Sequence, residues 1–418
     1  MANRYWVGGT AAWDGTAGTK WALTSGGAGG QAVPTSADDV FFDAASGAVT
    51  CTITGTDYAK SINCTGFTGT LTGSGNVFIY GNVTFSAGMN CSATGLLFFS
   101  ATATIISAGK TFFSIAVNAP GITVTLSGAL TLHTVGGVFS SAGTLNLNGF
   151  TITAGYFNSN SPSARSIAFG SANILINLTV LPDYAVLNVP DARNLTWTGT
   201  GGFVRAMAST AKMVFGPLGA NAANAPNLTV NSGANALTIT GDSWFNNLIF
   251  TGSTSTVTST NVNIAGNLTL ASGGTYTALA PTYRDTGILT SAGKTLSALT
   301  VDGSGITVTC ADALTVTDAL TLTLGTLNLK NAVTSTVGSL VTTGTTLKYL
   351  QSTTAGSQAT ISDTSGTNTV TYLSIKDSNA TGGAVFDATD PTNVNVSNNT
   401  GWLGFGGGDN GSFIAFFM

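Results

Sequence analysis

The segment TCTITGTDYAKSINCTG, residues 50–66, recurs without a gap as ALTITGDSWFNNLIFTG at residues 236–252. Three more pairs follow in the same order: GNVTFSAG from Gly81 with GNLTLASG from Gly266, the SAGKT segments from Ser107 and Ser291, and AGTLNLN from Ala142 with LGTLNLK from Leu324. The offset between copies falls only from 186 to 182. Roughly a hundred residues are therefore duplicated, which predicts a repeat architecture.

The repeated segments alternate apolar residues with Thr, Ser or Asn, a pattern typical of half-buried strands. Strand centres recur at Val83, Ile105, Val124 and Leu145, and Gly, Asn and Ser between them suit tight turns. We expect an all-β fold, an elongated, right-handed parallel β-helix (β-solenoid). With coils of about 22 residues spaced about 4.8 Å apart, the rod would be on the order of 75 Å long.

The composition supports strands and excludes several classes of function. Only 7% of residues are charged, and all 17 acidic residues are Asp, so good surface helix formers are scarce. A net charge of −4 gives no basic field, and we expect no nucleic-acid partner. The sequence contains no run of eighteen apolar residues, so we expect no membrane-spanning helix and no membrane insertion. The start MANRYWVGG lacks the plan of a secretory signal, so we expect a protein that begins near Met1 and is not exported by that route.

Four parts are expected along the chain. They are a Trp-rich N-terminal cap or attachment segment at 1–45, a first solenoid copy at 46–234 with a lateral loop near 200–226, a second copy at 235–395, and a Gly-rich hinge with an apolar tail at 396–418. The loop is expected because GFVRAMASTAKMVFGPLGANAANAPN does not alternate, and binding residues are frequent in loops.

Candidate binding residues lie outside the duplication. Trp6, Trp13 and Trp21 either plug the open end of the solenoid or stack on sugars, and plugging is favoured because an open end exposes core and strand edges. Arg205 and Lys212 lie in the expected loop. The closing segment is too apolar for water, so its aromatic residues should contact a neighbour or the end of the solenoid. These residues are Trp402, Phe413, Phe416 and Phe417.

The internal alignment also assigns the cysteines and the histidine. Cys51, Cys64, Cys91 and Cys310 face large apolar residues in the other copy, which predicts buried thiols, with one disulfide between neighbouring coils as the alternative. His133 lies on the Thr side of LTLHT and is expected to be exposed.

No catalytic residue, metal site or cofactor is predicted. The SAGKT segments have the wrong spacing for a phosphate loop, and no helix pattern follows them. A glycosidase needs two carboxylates that flank the bond it cleaves. Three groups of aspartates contain candidate pairs: Asp38 with Asp39 and Asp43, Asp312 with Asp318, and Asp377 with Asp387 and Asp390. In the other copy Asp312 faces Gly128, just as Asp302 faces Asn118 and Asp57 faces Ser243, which indicates turn and surface positions. Calcium at Asp38, Asp39 and Asp43 is an alternative to capping of a local turn.

Three segments resemble virion structural proteins of tailed phages. They are YWVGGTAAWDG with VPTSADDVFFDA near the start, AGTLNLNGFTITAGYFNSNSPSARSIAFGS from Ala142, and QATISDTSGTNTVTYLSIKDSNATGGAVFDA with NVNVSNNTGW near the end. Similar coils occur in bacterial surface adhesins. The resemblance implies a β-solenoid particle component and brings no catalytic residues.

We therefore expect a phage virion structural protein located in the particle, a tail fibre or adhesin-like appendage for host attachment. Its expected partners are other virion proteins, further copies of itself in a homo-oligomer such as a trimer, and a host surface glycan. Alternatives are a capsid decoration or baseplate protein without a receptor role, a secreted bacterial adhesin, and a polysaccharide-cleaving tailspike.

Overall fold

The computed structural model is all-β and describes residues 2–13, 19–93, 95–112, 114–177, 185–205, 211–231, 233, 236–259 and 261–405. Parallel strands stack coil upon coil, which confirms the predicted β-solenoid. Among the described residues the helical segments are two 3-10 turns, Ala44–Ser46 and Ala222–Asn224, and β1 with β3 is the antiparallel exception among the strand pairs.

Up to Ile264 the strands are β1 (Asn3–Trp6), β2 (Ala11–Ala12), β3 (Trp21–Ala22), β4 (Asp39–Phe41), β5 (Thr50–Ile53), β6 (Thr56–Ala59), β7 (Ser61–Asn63), β8 (Thr70–Gly73), β9 (Asn76–Ile79), β10 (Val83–Thr84), β11 (Asn90–Ala93), β12 (Leu96–Phe99), β13 (Ala103–Ile106), β14 (Thr111–Phe112), β15 (Ser114–Leu126), β16 (Leu130–Leu132), β17 (Gly137–Asn146), β18 (Ile152–Ala154), β19 (Tyr156–Asn160), β20 (Arg165–Gly170), β21 (Ile174–Ile176), β22 (Ala185–Asp191), β23 (Leu195–Gly199), β24 (Phe203–Arg205), β25 (Ala211–Leu218), β26 (Leu228–Val230), β27 (Ala236–Ile239), β28 (Ser243–Phe245), β29 (Leu248–Phe250), β30 (Thr256–Thr258) and β31 (Val262–Ile264).

From Leu268 onward they are β32 (Leu268–Thr269), β33 (Thr275–Thr277), β34 (Pro281–Tyr283), β35 (Gly287–Thr290), β36 (Thr295–Leu296), β37 (Leu299–Cys310), β38 (Thr315–Leu329), β39 (Thr334–Thr342), β40 (Lys348–Ser352), β41 (Ala359–Ser362), β42 (Thr367–Thr369), β43 (Leu373–Lys376), β44 (Ser378–Thr381), β45 (Val385–Asp387), β46 (Val394–Ser397) and β47 (Trp402–Leu403).

The chain forms two compact units. Unit 1 comprises the described residues up to Ala265 together with 271–275, and unit 2 comprises 266–270 and the described residues from Tyr276 onward. The division between the two units falls inside the second sequence copy. In unit 1, one row of strands contains β4, β7, β10, β13, β15, β17, β20 and β23, a second contains β6, β9, β12, β15, β17, β19, β22, β25, β27 and β30, and others contain β2, β5, β8 and β11, and β14, β16, β18, β21, β24, β26 and β29.

The expected strand centres stack in two steps out of three. Val83 lies opposite Ile105, and Val124 lies opposite Leu145. Between these pairs Ile105 lies opposite Leu126, two residues beyond the predicted partner, Val124. The shift by two keeps the same face of the strand inward, so Val124 and Leu126 are both buried.

The sequence duplication appears in the structure as the same bend in two long strands, β15 in unit 1 and β37 in unit 2. In unit 1, the ladder between β15 and β17 shifts register between Asn118 and Thr123. In unit 2, the ladder between β37 and β38 shifts between Asp302 and Thr307, at the aligned positions. Each bend contains a glycine with a φ near +71°, a conformation that costs glycine least.

The SAGKT segments form a turn that joins neighbouring coils. Ser107 Oγ donates to the carbonyl of Ala129 at 2.7 Å, and Ser291 Oγ donates to that of Ala313 at 2.9 Å. In both turns the Ala after Ser has a φ near +50° and the serine hydroxyl accepts from the glycine N–H. Both copies of the motif therefore have the same structural role, a turn whose serine bonds to the next coil. This role accounts for the repeated residues without a phosphate.

The described part of 200–226 does not form the lateral loop that the sequence predicted. Strands β24 and β25 pair within the stack, and the 3-10 turn Ala222–Asn224 follows them. The turn is closed by Asn221, whose side chain accepts from Ala223 N at 2.9 Å. The lost alternation reflects Gly216 at φ 74° and an inward Arg205, which interrupt the apolar pattern while the strands still stack.

Three of the four cysteines are buried, as predicted. Cys51, Cys64 and Cys310 are at most 1% exposed, whereas Cys91 is only half-buried, so its prediction was wrong. None of the four cysteines forms a disulfide bond, which excludes the disulfide alternative. Burial raises the pKa of Cys310 to about 12, so this thiol behaves as a small apolar side chain.

We expect Leu145→Ala to lower the free energy of unfolding by about 2–5 kcal/mol, because Leu145 is fully buried between Val124 and Ile167 of the adjacent coils. Thr125→Ala, on the outer face of the same ladder, serves as the control and should cost less than about 0.5 kcal/mol. Urea unfolding followed by circular dichroism measures both. Equal losses in the two variants would contradict the assignment of inward and outward faces.

Candidate binding groove

An open groove follows one edge of unit 1, where the chain bends between two rows of strands. Its first part, about 440 Å³, is lined by Asp39, Lys60, Ser61, Ile62, Asn63, Tyr80, Gly81, Asn82, Thr84 and Thr102. Its second part, about 310 Å³, is lined by Gly121, Ile122, Thr123, Gly143, Thr144, Ala164, Arg165, Ser166, Asn194 and Thr196. The parts adjoin where Thr123 N donates to Thr102 Oγ1 at 3.2 Å. We call this surface the corner groove.

The bend needs residues that let two coils approach closely. Gly143 has a φ of 77°, and a Cβ there would lie 2.6 Å from the carbonyl oxygen of Ala119. Any other residue would be strained in φ and would collide with this backbone atom. Gly143 therefore allows the backbones of the two neighbouring coils to approach closely beneath this part of the groove.

A row of hydroxyls runs through the second part of the groove. The register places Thr123 opposite Thr144 and Ser166 opposite both Thr144 and Thr196. Successive hydroxyls are therefore about 4.8 Å apart, the spacing of neighbouring strands. Within the described part of the chain, the hydroxyls of Thr123, Thr144 and Ser166 have no hydrogen-bond partner, so they are available to a ligand.

The first part of the groove contains an ion pair. Lys60 Nζ lies 3.0 Å from Asp39 Oδ2, and Ser61 Oγ donates to Asp39 Oδ1 at 2.5 Å. Both charged side chains keep part of their surface in water, so the pair contributes little to stability. Its main effect is local neutrality, because one positive and one negative charge face the same groove.

A buried guanidinium supports the second part of the groove. Arg165 is 3% exposed and donates from Nη1 to the carbonyl oxygens of Ser163 at 3.1 Å and Arg193 at 2.8 Å. Further bonds reach Ser159 and the carbonyl of Asp191. Burial lowers the pKa of Arg165, while the charge of Asp191 acts in the opposite direction. Arg165 thus joins the turns that precede β20 and β23.

Asp191 is fixed by a second arginine. Arg193 Nη2 lies 2.7 Å from Asp191 Oδ2, and this hydrogen bond is the largest cause that lowers the pKa of Asp191. The Arg193 side chain is half exposed. The turn between β22 and β23 is therefore held from the inside by Arg165 and from the outside by Arg193.

An aromatic column flanks the first part of the groove. Tyr58, Phe78 and Phe98 stack on three successive coils, with ring centroids 5.5 and 4.6 Å apart. Tyr58 is 41% exposed, so the column belongs to the outer surface. Tyr80, the residue directly after β9, lines the groove.

The N-terminal tryptophans lie in the core and not on the binding surface that sugar stacking requires. Trp6, Trp13 and Trp21 are at most 1% exposed. Their ring centroids lie 5.5 to 6.0 Å from that of Phe42, and Trp21 lies 5.1 and 5.2 Å from Trp6 and Trp13. A sugar would need an exposed ring face, which these side chains do not offer. Their burial argues against the sugar-stacking alternative, while a plug at the open end of the solenoid stays a prediction.

The other expected binding residues that the structure describes lie on separate strands. Arg205 is 1% exposed on β24 and donates to the Ile176 carbonyl at 3.2 Å, and burial lowers its pKa to about 10. Lys212 is half-buried on β25. Trp402 is buried, and its Nε1 donates to Ser378 Oγ at 3.2 Å. Phe413, Phe416 and Phe417 lie outside the described residues.

Most of the candidate acids cap turns. For Asp38, Asp39 and Asp43 the sequence had left calcium binding and turn capping as alternatives. Asp43 accepts from the N–H groups of Ala45 and Ser46 and closes a capping box. Asp312 accepts from two N–H groups of the Ser291 turn, and Asp377 accepts from Gly356 N. Hydrogen bonds from Thr389 and Thr392 lower the pKa of Asp387 and Asp390, respectively. Asp318 is exposed, and so is His133, as expected.

Sequence reasoning missed the corner groove, although two signals were present. In SARSIAFG, Arg165 falls at the inward positions of Ile167 and Phe169, which marks it as a buried cation. The hydroxyl row appears as Thr123 and Thr144 at the same place in consecutive coils. No sequence pattern indicates the bend that places these residues along the same groove as Tyr80 and Lys60.

No protein-family model, curated protein or solved structure matches this chain. Within the described ranges, no helix has the length and hydropathy to cross a membrane. The same ranges contain no cluster of three or more His, Cys or Asp side chains placed to hold a metal ion.

We expect Arg165→Met to lower the free energy of unfolding by about 2–4 kcal/mol, because it leaves buried carbonyl oxygens without donors. Arg193→Met is the control, since its half-exposed ion pair should contribute little. Chemical unfolding measures both variants. If Arg193→Met is the more damaging change, the support assigned to Arg165 is wrong.

We expect the stability from Asp38 to depend on pH. Burial raises the pKa of Asp38, but hydrogen bonds from Thr35 and Ala2 and the charge of Arg4 outweigh it and lower the pKa overall. The stabilisation is therefore complete above the unfolded-state pKa of about 3.9 and is lost as pH falls through the lower folded-state pKa.

The measurement compares the melting temperatures of the unmodified protein and Asp38→Asn from neutral pH down to pH values below the folded-state pKa. The difference should be largest at neutral pH and should disappear at the acid end. Asp318→Asn, which removes an exposed carboxylate, should show a small difference throughout. A difference for Asp38→Asn that does not change with pH would contradict this account.

Proposed function

We propose that this protein is a structural component of a phage particle, a tail fibre or adhesin-like appendage that contacts a host surface. The observation that carries the proposal is the corner groove, an open polar surface that extends over several coils of a stacked scaffold. The resemblance of three sequence segments to virion structural proteins supplies the setting. In that setting the protein assembles with other virion proteins and with further copies of itself.

The scaffold suits a contact function for a physical reason. Each coil is bonded to the next through parallel backbone ladders, so the outward side chains keep their spacing without a ligand. A surface that is organised before binding loses little conformational entropy when it binds. The groove residues lie on strands and on turns that side-chain hydrogen bonds support, as Arg165 illustrates.

Imaging of the particle tests this proposal. An antibody against the protein, labelled with gold, should mark the tail or its appendages in electron micrographs of purified particles, and it should block adsorption to host cells. Label on the capsid shell, or on the baseplate with normal adsorption, would overturn the appendage role in favour of a decoration or baseplate protein. Label on a bacterial envelope and not on particles would favour a secreted adhesin.

A further inference from the structure

We propose that the corner groove binds a neutral polysaccharide chain, laid across successive coils of unit 1. This inference rests on the proposed function and names the class of ligand that the contact surface recognises. The groove offers hydroxyl, amide and phenol groups at its surface, whereas its charged side chains are neutralised or occupied by protein partners. Such a lining matches a ligand that is rich in hydroxyls and carries no charge.

The spacing of the hydroxyl row favours a polymer. Thr123, Thr144 and Ser166 repeat once per coil, about every 4.8 Å, which is comparable with the length of one sugar ring. Each hydroxyl can donate one hydrogen bond and accept two, so it can pair with a sugar hydroxyl in either direction. A chain that follows the stack would meet an equivalent partner at each coil, and its affinity should increase with its length.

The first part of the groove adds an aromatic contact and amide groups. Tyr80 combines an apolar ring with a hydroxyl, which suits a sugar ring with C–H groups on its face and hydroxyls at its edge. Asn63 and Asn82 use their carbonyl oxygens to accept from Thr65 N and Thr104 N, respectively. Their NH₂ groups can therefore donate to a ligand without breaking these bonds.

Charge decides between neutral and anionic polymers. Lys60 is the cation at the mouth of the first part, and Asp39 lies 3.0 Å from its ammonium group. In the second part, the Arg165 guanidinium donates to several carbonyl oxygens and is 3% exposed. An anionic chain would meet a carboxylate and no free cation among the described lining residues, so the groove favours a neutral chain.

The test is a binding experiment with the purified full chain. Fluorescently labelled glucans, mannans, galactans and N-acetylhexosamine oligomers, each as a short and a long chain, are compared with a polyuronate and a sulfated glycan. At least one neutral chain should bind, and its long form should bind more tightly than its short form. Its affinity should change little with salt, because no charged group of the ligand takes part.

Two groove variants locate the site. The double variant Thr123→Val with Thr144→Val keeps the shape and removes two free hydroxyls, and Tyr80→Ala removes the ring. Each should weaken binding about tenfold, as expected for the loss of two hydrogen bonds or one aromatic contact.

Matched controls exist for both variants. Thr131→Val with Thr153→Val changes two threonines that also pair across neighbouring coils, on β16 and β18, away from the groove. Tyr349→Ala removes an outward tyrosine in unit 2 that is 42% exposed. Both controls should bind like the unmodified protein. Melting temperatures that agree within each matched pair show that a loss of binding is not a loss of fold.

Each outcome has a defined meaning. Weaker binding in the groove variants alone supports the inference, and equal binding in all variants overturns the location of the site. Binding to the polyuronate or sulfated glycan alone, or to no member of the panel, overturns the ligand class. The particle images remain a separate result, since a labelled appendage without glycan binding would refute this inference and leave the proposed function standing.

Discussion

Parallel, in-register hydrogen bonding between successive coils is the constraint on which this structure depends. A strand in one coil pairs with the strand about twenty residues later, so each inward side chain lies directly over its counterpart, as Val124 lies over Leu145 and Leu145 over Ile167. A slip of one residue would turn a whole row of apolar side chains to the outside. The ladder between β13 and β15 has no such slip, since Ala103 lies opposite Val124 and Ile105 opposite Leu126, all four of them buried.

Two buried cations bond to turn carbonyls of this stack. A long cation with an inward position can reach a carbonyl at a bend, where the ladder between strands is interrupted. Arg165 bonds to turn carbonyls in unit 1. In unit 2, Lys348 is fully buried, donates to the carbonyl of Gly344 at 3.0 Å and lies over the ring of Tyr372. In both cases burial lowers the pKa of the cation, and its hydrogen bonds compensate for the lost water.

The fold was predictable because the signal is local and repeated. Alternation assigns the faces, and the duplicated segments assign equivalent positions, which placed Cys51, Cys64 and Cys310 in the core correctly. Errors arose where local pattern and tertiary setting differ. Cys91 lies half-buried although its counterpart is the aromatic Tyr276, and the described strands β24 and β25 stack although the sequence there does not alternate. The groove was missed because its residues come from coils that a sequence window does not connect.

The sequence by itself therefore determined the class of fold, the position of the repeat and the inward or outward direction of most side chains. These follow from the two-residue period of a strand and from internal duplication, both of which are local properties. Only the tertiary structure decided between the alternatives that the sequence left open, burial against sugar stacking for the three N-terminal tryptophans and turn capping against calcium for Asp43. It alone brought Tyr80 and the Thr123 row to the corner groove. These depend on the angle of each bend and on which turn carbonyls meet, and the physical forces that set them act between distant coils.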